Sequence, residues 1–407
     1  MDNSKAWCNF DDVTDNDVAD GSDASTTSSS APSSSKSSLS TSRIKKLSLQ
    51  HDPENEKQEM EQEIEKSRAS HDCNLSNLNL TTIPTNVPLH TLTKLSLSVN
   101  AITSLPSSLF EGKNCSALRE FDAYSNSISS VPDSLFLLSN LEVLLLDHNQ
   151  IDTLPLASAA ASGKPLLPKV RRVGLEFNNL TSFPIELLER CRNLSELSLS
   201  NNERMFDNPV PFDRLLKCPF GGKNTTQSVL LRADNRPRFM DAVANQKWST
   251  HLPWLTINFI KIYPDKVLDF MFLGSVRTAQ TVTVYHDLDI KYVLTVGRGL
   301  EVVIEPGMHH LVFPIQDFPE ENMSGLFLQA FDFIDAAREE KKGILIHCFA
   351  GLSRSVTIAA AYLMKAKHMT CDEAMQLIKQ ARPAARPNEG FMQELLNYQR
   401  FFGDRKG

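Results

Sequence analysis

Apolar residues in the middle of the chain recur in a fixed phrase, L-x-L-x-x-N-x-L-x-x-L-P, and not with the 3.6-residue period of a helix. The phrase is complete at residues 95–106, a decayed copy before it ends at Pro84, and a last copy loses the pattern after position 202. Its asparagine stands at Asn100, Asn126, Asn149, Asn178 and Asn202, at separations of 26, 23, 29 and 24 residues. Strands of an ordinary sheet would not keep these asparagines in register. The pattern therefore predicts a repeat array of about six copies over residues 73–205.

Each part of the phrase has a structural role. Every copy supplies a short strand with inward leucines, an asparagine that turns inward to bind neighbouring backbone groups, and a proline that directs the chain to the convex side. These features predict a leucine-rich-repeat solenoid with atypical end copies as caps. The concave side is predicted to carry Val99, Tyr124, Ser125, Asp147, His148, Glu176 and Phe177. Aromatic residues beside acids favour a face that recruits a protein substrate or partner, and the alternative is a solvated face on a spacer.

The pattern changes over residues 256–407, where short apolar runs alternate with helical spacing. The runs predict strands at residues 270–273, 292–296, 310–315 and 343–346, and the helical spacing predicts helices at residues 326–340, 356–367 and 371–380. Strands that alternate with helices indicate an α/β domain with a covered sheet. Residues 206–255 show no strong period and are assigned to a cap and linker.

Residues 1–70 are predicted to form a disordered tail. Between Gly21 and Ser42, fifteen of twenty-two residues are Ser or Thr, and residues 53–68 are almost entirely polar and charged. Such segments cannot bury enough apolar surface to offset the entropy that ordering removes.

The composition excludes several function classes. With 42 basic and 49 acidic residues, the net charge of −7 gives no reason to expect nucleic acid or an anionic membrane as a partner. We find no run of about 18 apolar residues for a membrane span and no secretory signal at the N-terminus. Seven cysteines lack metal-ligand or disulfide spacing, which predicts reduced thiols, no metal and a cytoplasmic location, with nuclear entry left open.

Chemistry is indicated at residues 347–355, His-Cys-Phe-Ala-Gly-Leu-Ser-Arg-Ser, the phosphate loop. A cysteine five residues before an arginine is common by chance, but here an apolar strand leads into the loop and a helix leaves it. Amide N–H groups at such a turn form an anion site, predicted to use Phe349, Ala350, Gly351, Leu352 and Ser353. Gly351 lets the backbone approach a ligand closely.

The side chains of the phosphate loop complete a nucleophilic site. The planar fork of Arg354 matches two phosphate oxygens, and the positive surroundings favour a Cys348 thiolate that can attack phosphorus. His347 is predicted to organise the loop, and Ser355 to hydrogen-bond the sulfur and ease its departure. The alternative is an inert buried cysteine in a strand-to-helix turn.

The reaction also needs a general acid for the leaving oxygen. Asp317 follows a predicted strand in a loop flanked by Pro314 and Pro319, from which it could reach over the phosphate loop. Glu320 and Glu321 are nearby rivals that lie further from the strand end. The alternative role for Asp317 is that of a surface or helix-capping carboxylate.

The residues from about Pro264 to Phe402 resemble the dual-specificity protein phosphatases, especially the MAP kinase phosphatases. The matching phrases are the phosphate loop with its following helix, Phe270–Ser275, Pro314–Asp317, Ala361–Met364 and Arg386–Phe391. The resemblance implies Asp317 as the acid and Asn388 as structural support for the loop. It also implies hydrolysis of phosphotyrosine, phosphoserine and phosphothreonine without a cofactor, with a MAP kinase as the type of target.

The resemblance has departures and rivals. Phe349 and Leu352 replace the commoner Leu and Ile, and a repeat array stands where many relatives carry a rhodanese-like domain, as in leucine-rich-repeat phosphatases of protists. A phosphoinositide phosphatase would carry lysines inside the loop, and a non-catalytic phosphoprotein-binding scaffold would lack one of Cys348, Arg354 and Asp317. The sequence therefore favours a protein phosphatase that works through a cysteinyl-phosphate.

Overall fold

The computed structural model describes residues 53–221 and 227–403, so the predicted tail up to residue 52 lies outside the described residues. The sequence predicts disorder to residue 70, but Pro53–Ser70 forms an α-helix, α1. Good helix formers fill this segment, and Glu63 and Glu65 pair with Lys66 and Arg68 one turn later, both at 3.0 Å. Ile64 is 2% exposed, so packing of the last turns adds to the local preference.

The repeat array forms one parallel sheet of eight strands whose spatial order follows the chain. The strands are β1 (Asp72–Asn74), β2 (Lys94–Ser96), β3 (Glu120–Asp122), β4 (Val143–Leu145), β5 (Arg172–Gly174), β6 (Glu196–Ser198), β7 (Val229–Asp234) and β8 (Leu255–Ile260). The sheet continues past residue 205, the predicted end of the array: β7 lies in the segment assigned to the cap and linker, and β8 begins at its last residue and ends in the segment assigned to the next domain. The repeat phrase is absent from β7 and β8, but alternate residues of β7 are buried and Leu231 lies in register with Leu197.

The predicted asparagine ladder is confirmed. The Asn149 side-chain oxygen accepts from Ile128 N at 3.0 Å, and its amide donates to the carbonyls of Ala123 and Leu146 at 2.9 and 3.0 Å. Asn100, Asn126, Asn178 and Asn202 make equivalent bonds. Each asparagine thus ties two neighbouring repeats together in a region where unpaired backbone groups would be costly.

The residue before each ladder asparagine has a positive φ angle. These residues are Val99, Ser125, His148, Phe177 and Asn201, with φ of 56°, 54°, 56°, 53° and 58°. The left-handed conformation turns the chain off the strand and places the side chain at the edge of the concave face. Asn tolerates this conformation, whereas bulky or β-branched residues adopt it at a cost.

Short helical turns form the convex side of the array. They are the α-helices α2 (Leu156–Ala161), α3 (Ile185–Arg190) and α4 (Phe212–Leu215), and the 3₁₀ turns Ser107–Leu109, Asp133–Leu137, Met205–Asp207 and Pro219–Gly221. Between β7 and β8 the chain forms α5 (Pro237–Asn245) and α6 (Trp248–His251).

The predicted α/β domain is confirmed. Its five strands are β9 (Asp265–Leu268), β10 (Met271–Gly274), β11 (Ile290–Val296), β12 (His309–Phe313) and β13 (Gly343–His347). Their spatial order is β12-β11-β13-β10-β9, all parallel except β9, which runs antiparallel to β10. The strand β13 is therefore central, and the chain leaves the sheet at the carboxyl end of this middle strand.

Helices cover both faces of this sheet. They are α7 (Val276–Ala279), α8 (Val282–Asp287), the 3₁₀ turn Ser324–Leu326, α9 (Phe327–Glu339), α10 (Arg354–Lys367), α11 (Cys371–Ala381) and α12 (Glu389–Gly403). Alternate residues of β13 face opposite cores, because Ile344 and Ile346 pack with α9 to α12 and Leu345 packs with α7 and α8. Across residues 53–221 and 227–403, we find no helix with the length and apolar character of a membrane span.

The chain between the two sheets is packed into the second domain. Ile262 and Tyr263, which follow β8, are buried in the same core as Val284 and Tyr285 of α8. The Asn235 side-chain oxygen accepts from both Ile262 N and Tyr263 N, at 2.7 and 2.8 Å. The end of the array is thereby tied to the α/β domain by a shared core and by backbone hydrogen bonds.

The ladder can be tested at its centre. Because Asn149→Ala leaves the buried N–H of Ile128 without a partner and removes one of the two asparagine donors to each of the Ala123 and Leu146 carbonyls, we expect the free energy of unfolding to fall by about 3 kcal/mol. Urea unfolding followed by circular dichroism measures the change. Asn140→Ala is the matched control, since Asn140 precedes β4 and its side-chain hydrogen bonds, to the Ser116 carbonyl and from Lys169, are solvent-exposed. Equal losses in the two variants would contradict a structural role for the ladder.

Candidate active site

The phosphate loop occupies the position that α/β sheets commonly use for ligands. It leaves the carboxyl end of the central strand β13 and enters α10, which begins at Arg354. All residues of β13 are buried, so the loop begins from a rigid base. The sequence forms this turn because an apolar strand is followed by small and polar residues and then by a helix-forming run.

The backbone carbonyls of the phosphate loop are held by donors outside it. Arg382 donates to two of them, from Nη2 to the Ala350 carbonyl and from Nε to the Gly351 carbonyl, both at 2.8 Å. Backbone N–H groups serve the other three: Val276 N donates to Phe349 at 3.0 Å, Arg386 N to Leu352 at 2.7 Å and Thr357 N to Ser353 at 3.0 Å. In a trans peptide unit the C=O and the N–H point in opposite directions. Outward carbonyls therefore turn the amide donors inward, which is the arrangement an oxyanion site requires.

Arg382 supplies two of these donors and was not predicted as a site residue. It is 6% exposed, and its Nη1 pairs with Asp265 at 2.8 Å. A buried guanidinium is stable only when its charge is compensated, and Asp265 provides that compensation. The pairing joins residues 117 positions apart, so no local phrase in the sequence could reveal it.

Gly351 is required by both conformation and space. Its φ of +74° lies in the left-handed region, and a Cβ added there would meet the carbonyl oxygen of Gly274 at 2.3 Å. The sequence-based expectation that this position needs close backbone approach agrees with this geometry.

Cys348 lies at the base of the loop and is 1% exposed. Its Sγ accepts a hydrogen bond from Gly351 N at 3.2 Å and lies 3.4 Å from Ser355 Oγ. An amide and a hydroxyl directed at sulfur stabilise a thiolate, because each brings a positive dipole end to the charge. The contact with Ser355 is the one expected from the sequence.

Arg354 and Asp317 are brought together beside the loop. Arg354 Nε donates to Asp317 Oδ2 at 3.3 Å, and Arg354 Nη1 donates to the carbonyl of Ile315 at 3.2 Å. The other carboxylate oxygen of Asp317 accepts from Ser353 Oγ at 2.7 Å and from Asn388 Nδ2 at 2.9 Å. These bonds hold the loop that carries Asp317 against the phosphate loop.

Asn388 touches both parts of the site. Besides the side-chain bond to Asp317, the backbone N–H of Asn388 donates to Ser353 Oγ at 3.1 Å, and its side-chain oxygen accepts from Phe391 N at 2.9 Å.

The two rival acids, Glu320 and Glu321, take other positions. Glu321 Oε1 accepts from Gln316 N at 3.4 Å, and Glu320 is exposed.

His347 is fully buried behind the loop, where it takes part in a chain of hydrogen bonds. Its Nε2 lies 2.8 Å from Thr295 Oγ1, which lies 2.8 Å from His310 Nε2. Burial lowers the pKa of His347 to about 4, with further lowering by His310 and Arg354 against a weaker raising effect of the Cys348 carbonyl. His347 is therefore neutral near pH 7, which fits a supporting part and not a proton-transfer one. Thr295 and His310 were missed because single polar residues on strands give no distinctive pattern.

Potential metal ligands do not cluster in the described part of the chain. Within residues 53–221 and 227–403 we find no group of three or more His, Cys, Asp or Glu residues arranged to hold a metal ion. The six cysteines in these ranges are free thiols.

Comparison with known proteins identifies both domains. Residues 271–401 match the dual specificity phosphatase catalytic domain, and residues 90–151 match the leucine rich repeat. Dual specificity protein phosphatase 5 of Rattus norvegicus is 40% identical over 136 residues, which cover 33% of this chain and 35% of the relative. Dual specificity protein phosphatase 7 of Homo sapiens is 36% identical over 143 residues, which cover 35% of this chain and 34% of the relative. The matched part thus spans about a third of the length of these curated relatives.

One solved structure is similar to part of this chain. It is a leucine rich repeat and phosphatase domain containing protein from Entamoeba histolytica, 21% identical, with a TM-score of 0.32. The similarity covers 36% of this chain and 96% of that chain. From the matches to the domain families, the predicted order of a leucine-rich-repeat array followed by a dual-specificity phosphatase domain is confirmed.

The anchoring of the loop carbonyls can be tested at Arg382. Lys carries its donors on a single nitrogen, which cannot take the three positions of Nε, Nη1 and Nη2 in Arg382, so we expect Arg382→Lys to weaken inorganic phosphate binding by about tenfold. Isothermal titration calorimetry measures the affinity. Arg386→Lys serves as the control, because Arg386 is exposed and contributes its backbone N–H to the loop. Unchanged affinity in Arg382→Lys would contradict the anchoring role.

Burial of His347 predicts a pH-dependent stability. The unfolded chain binds a proton at His347 below its ordinary pKa of about 6.5, whereas the folded protein resists this proton down to about pH 4. The contribution of neutral His347 to the free energy of unfolding is therefore fully present above pH 6.5 and is lost as the pH falls towards 4. Between pH 7 and pH 5 we expect the wild type to lose on the order of 2 kcal/mol more than His347→Asn. Urea unfolding at the two pH values measures this, and His90→Asn, at an exposed position, should behave as the wild type.

Proposed function

We propose that this protein is a cysteine-dependent phosphatase that removes phosphate from phosphotyrosine, phosphoserine and phosphothreonine of proteins through a cysteinyl-phosphate. The observation that carries the proposal is the position of Cys348 Sγ at the base of a loop whose amides face inward, with Arg354 at its rim. The match of residues 271–401 to the dual specificity phosphatase catalytic domain supports it.

The first step transfers the phosphoryl group to the enzyme. The loop amides and Arg354 bind the three non-bridging oxygens and offset the charge that develops on them. The Cys348 thiolate attacks phosphorus as the bond to the substrate oxygen breaks. Asp317, acting in its protonated form, gives a proton to the leaving oxygen, so the products are an alcohol or phenol, a thiophosphate ester and the Asp317 carboxylate.

The second step returns the enzyme to its starting state. Water attacks phosphorus, the Asp317 carboxylate takes a proton from it, and the Cys348 thiolate leaves with inorganic phosphate as the product. Ser355 Oγ, 3.4 Å from the sulfur, supports this step by donating a hydrogen bond to the departing thiolate. The same carboxyl group is acid in one step and base in the next.

The surroundings of the loop favour a monophosphate ester on a protein. Phe349, Ala350, Gly351 and Leu352 provide no cation for additional phosphates, and the charge of Arg382 is paired with Asp265. Phe349 and Phe318 are 54% and 55% exposed next to Cys348 and Asp317, although large apolar side chains are usually buried. An exposed aromatic rim is suited to contact a substrate side chain and its peptide backbone.

The repeats are proposed to recruit the substrate or a protein partner, and the target is proposed to be a MAP kinase. The resemblance of the catalytic phrases to the MAP kinase phosphatases supports the target class.

Substrate trapping tests the proposed target, because Cys348→Ser keeps the loop but cannot form the intermediate. A trapped set of phosphoproteins without MAP kinases would overturn the target and leave the reaction intact. Phosphate released from phosphoinositides faster than from phosphopeptides would overturn the protein substrate class.

The role of Asp317 can be tested with leaving groups of different acidity. Without a proton donor a poor leaving group suffers most, so we expect Asp317→Asn to lower kcat for phenyl phosphate by about 10²–10⁴-fold and for p-nitrophenyl phosphate by much less. Single-turnover kinetics measure the phosphoryl transfer to the enzyme separately from later steps. Glu320→Gln, at an exposed carboxylate in the same loop, is the control and should retain both rates. Equal losses on the two esters in Asp317→Asn would mean that Asp317 only holds the loop.

A further inference from the structure

A contact links the phosphate loop to the repeat array. The carbonyl of Phe349 accepts from Val276 N at 3.0 Å, and Val276 begins helix α7. The next residue, Arg277, is exposed, and its guanidinium carbon lies 5.8 Å from the ring centroid of Phe177. Phe177, which follows β5, thus contacts the residue next to the one that binds the phosphate loop.

From Phe177 an aromatic row runs outward along the repeats. The ring of Phe177 stacks on His148 at a centroid distance of 4.0 Å, and His148 meets Tyr124 edge-on at 4.9 Å. The three side chains are half-buried and lie on successive repeats. We call Tyr124, His148 and Phe177 the aromatic row.

The repeat fold itself does not require these rings. His148 and Phe177 occupy the left-handed position before a ladder asparagine, with φ of 56° and 53°. Asn201 shows that asparagine fits the same position in a later repeat, at φ 58°. Bulky side chains adopt this conformation at a cost, and side chains there do not enter the core of the array. A ligand for the row would account for aromatic residues at strained surface positions.

A cation lies at one end of the row, on Phe177, and carboxylates flank the row along its length. Near the phosphate loop, burial lowers the pKa of His148 and the Arg277 guanidinium lowers it further. At the far end, burial raises the pKa of Tyr124, and the nearby carboxylates of Asp147, Asp122 and Glu176 raise it further. Glu176 is paired with Arg232 at 3.1 Å, and Asp147 accepts from Glu176 N at 2.8 Å. Asp122 is the half-exposed acid next to Tyr124.

We infer that the array reads the substrate polypeptide itself: an extended segment that flanks the phosphorylated residue lies along the aromatic row and places a basic side chain on Tyr124 and Asp122. This inference rests on the proposed phosphatase function and narrows the role of the repeats to substrate selection. The row ends at Arg277, next to the residue that binds the Phe349 carbonyl, and this proximity to the phosphate loop favours the substrate over a separate scaffold protein. A guanidinium is attracted to the face of an aromatic ring and to a carboxylate, and Tyr124 with Asp122 offers both.

A positional scan with phosphotyrosine peptides tests the inference. Each peptide carries one phosphotyrosine and a single Arg that is moved stepwise through otherwise neutral flanks of about twelve residues, since an extended residue spans about 3.3 Å. The readout is kcat/KM relative to the Arg-free peptide, which cancels any change in the chemical step. We expect one position, or two adjacent ones, on one side of the phosphotyrosine to give about a tenfold preference. Asp122→Asn and Tyr124→Ala should each abolish that preference.

Controls separate the possible failures. Leu216→Ala removes an exposed apolar side chain next to α4 on the convex side and should retain the preference. Hydrolysis of p-nitrophenyl phosphate by the wild type together with a flat Arg profile would overturn the inference and leave the proposed function standing. A peak that survives both Asp122→Asn and Tyr124→Ala would also overturn it. Absence of hydrolysis of every ester by the wild type would overturn the proposed function and the inference together.

Discussion

The outward fixing of the loop carbonyls is the constraint on which the active site depends. Backbone amides can face a phosphate only if the opposite ends of the same peptide units are satisfied elsewhere, because each peptide unit points its two polar groups in opposite directions. Arg382 meets this need for two consecutive units, and its own buried charge is compensated by Asp265. The positive φ of Gly351 and the inward direction of the amides are therefore consequences of contacts made behind the loop. A cysteine and an arginine at the right spacing would not form this site without these contacts.

One irregular segment between α11 and α12 supplies most of these contacts. Arg382 holds two loop carbonyls, Arg386 N holds a third, and Asn388 joins Ser353 to Asp317. The helix α12 that follows the segment also packs closely against the loop that carries Asp317, because a Cβ at Gly390 would meet the Pro319 carbonyl oxygen at 2.0 Å. Any displacement of this segment would move the phosphate loop and Asp317 together, so their positions are geometrically coupled. This coupling explains how an exposed residue such as Asp317 can keep a defined position relative to a buried cysteine.

The sequence predicted those features that repeat or that are local. Asparagines in register predicted the ladder, since each repeat makes the same bonds, and the strand-loop-helix pattern placed Cys348 and Arg354 correctly. Features that depend on distant residues were not predictable. Arg382 and Asp265 pair across 117 positions, and β7 joins the repeat sheet without the repeat phrase because register with β6 and alternate burial are sufficient. The helix α1 was missed because its polar composition argues for disorder, whereas its i,i+3 ion pairs and the burial of Ile64 favour a helix. Contacts between distant residues decided the first two cases, and local ion pairs together with the burial of Ile64 decided the third.

The junction of the two domains connects the repeats to the phosphate loop. One donor to the loop carbonyls, Val276 N, lies at the start of α7 and not in the segment that carries Arg382 and Arg386. The residue after Val276, Arg277, contacts Phe177 of the repeat array. The shared core around Tyr263 and Val284 and the bonds of Asn235 hinder relative movement of the array and the catalytic domain. A flexibly tethered array could only raise the local concentration of a substrate. An array packed in this way can also set the direction in which a bound chain leaves the phosphate loop, and direction is what distinguishes one phosphorylated sequence from another.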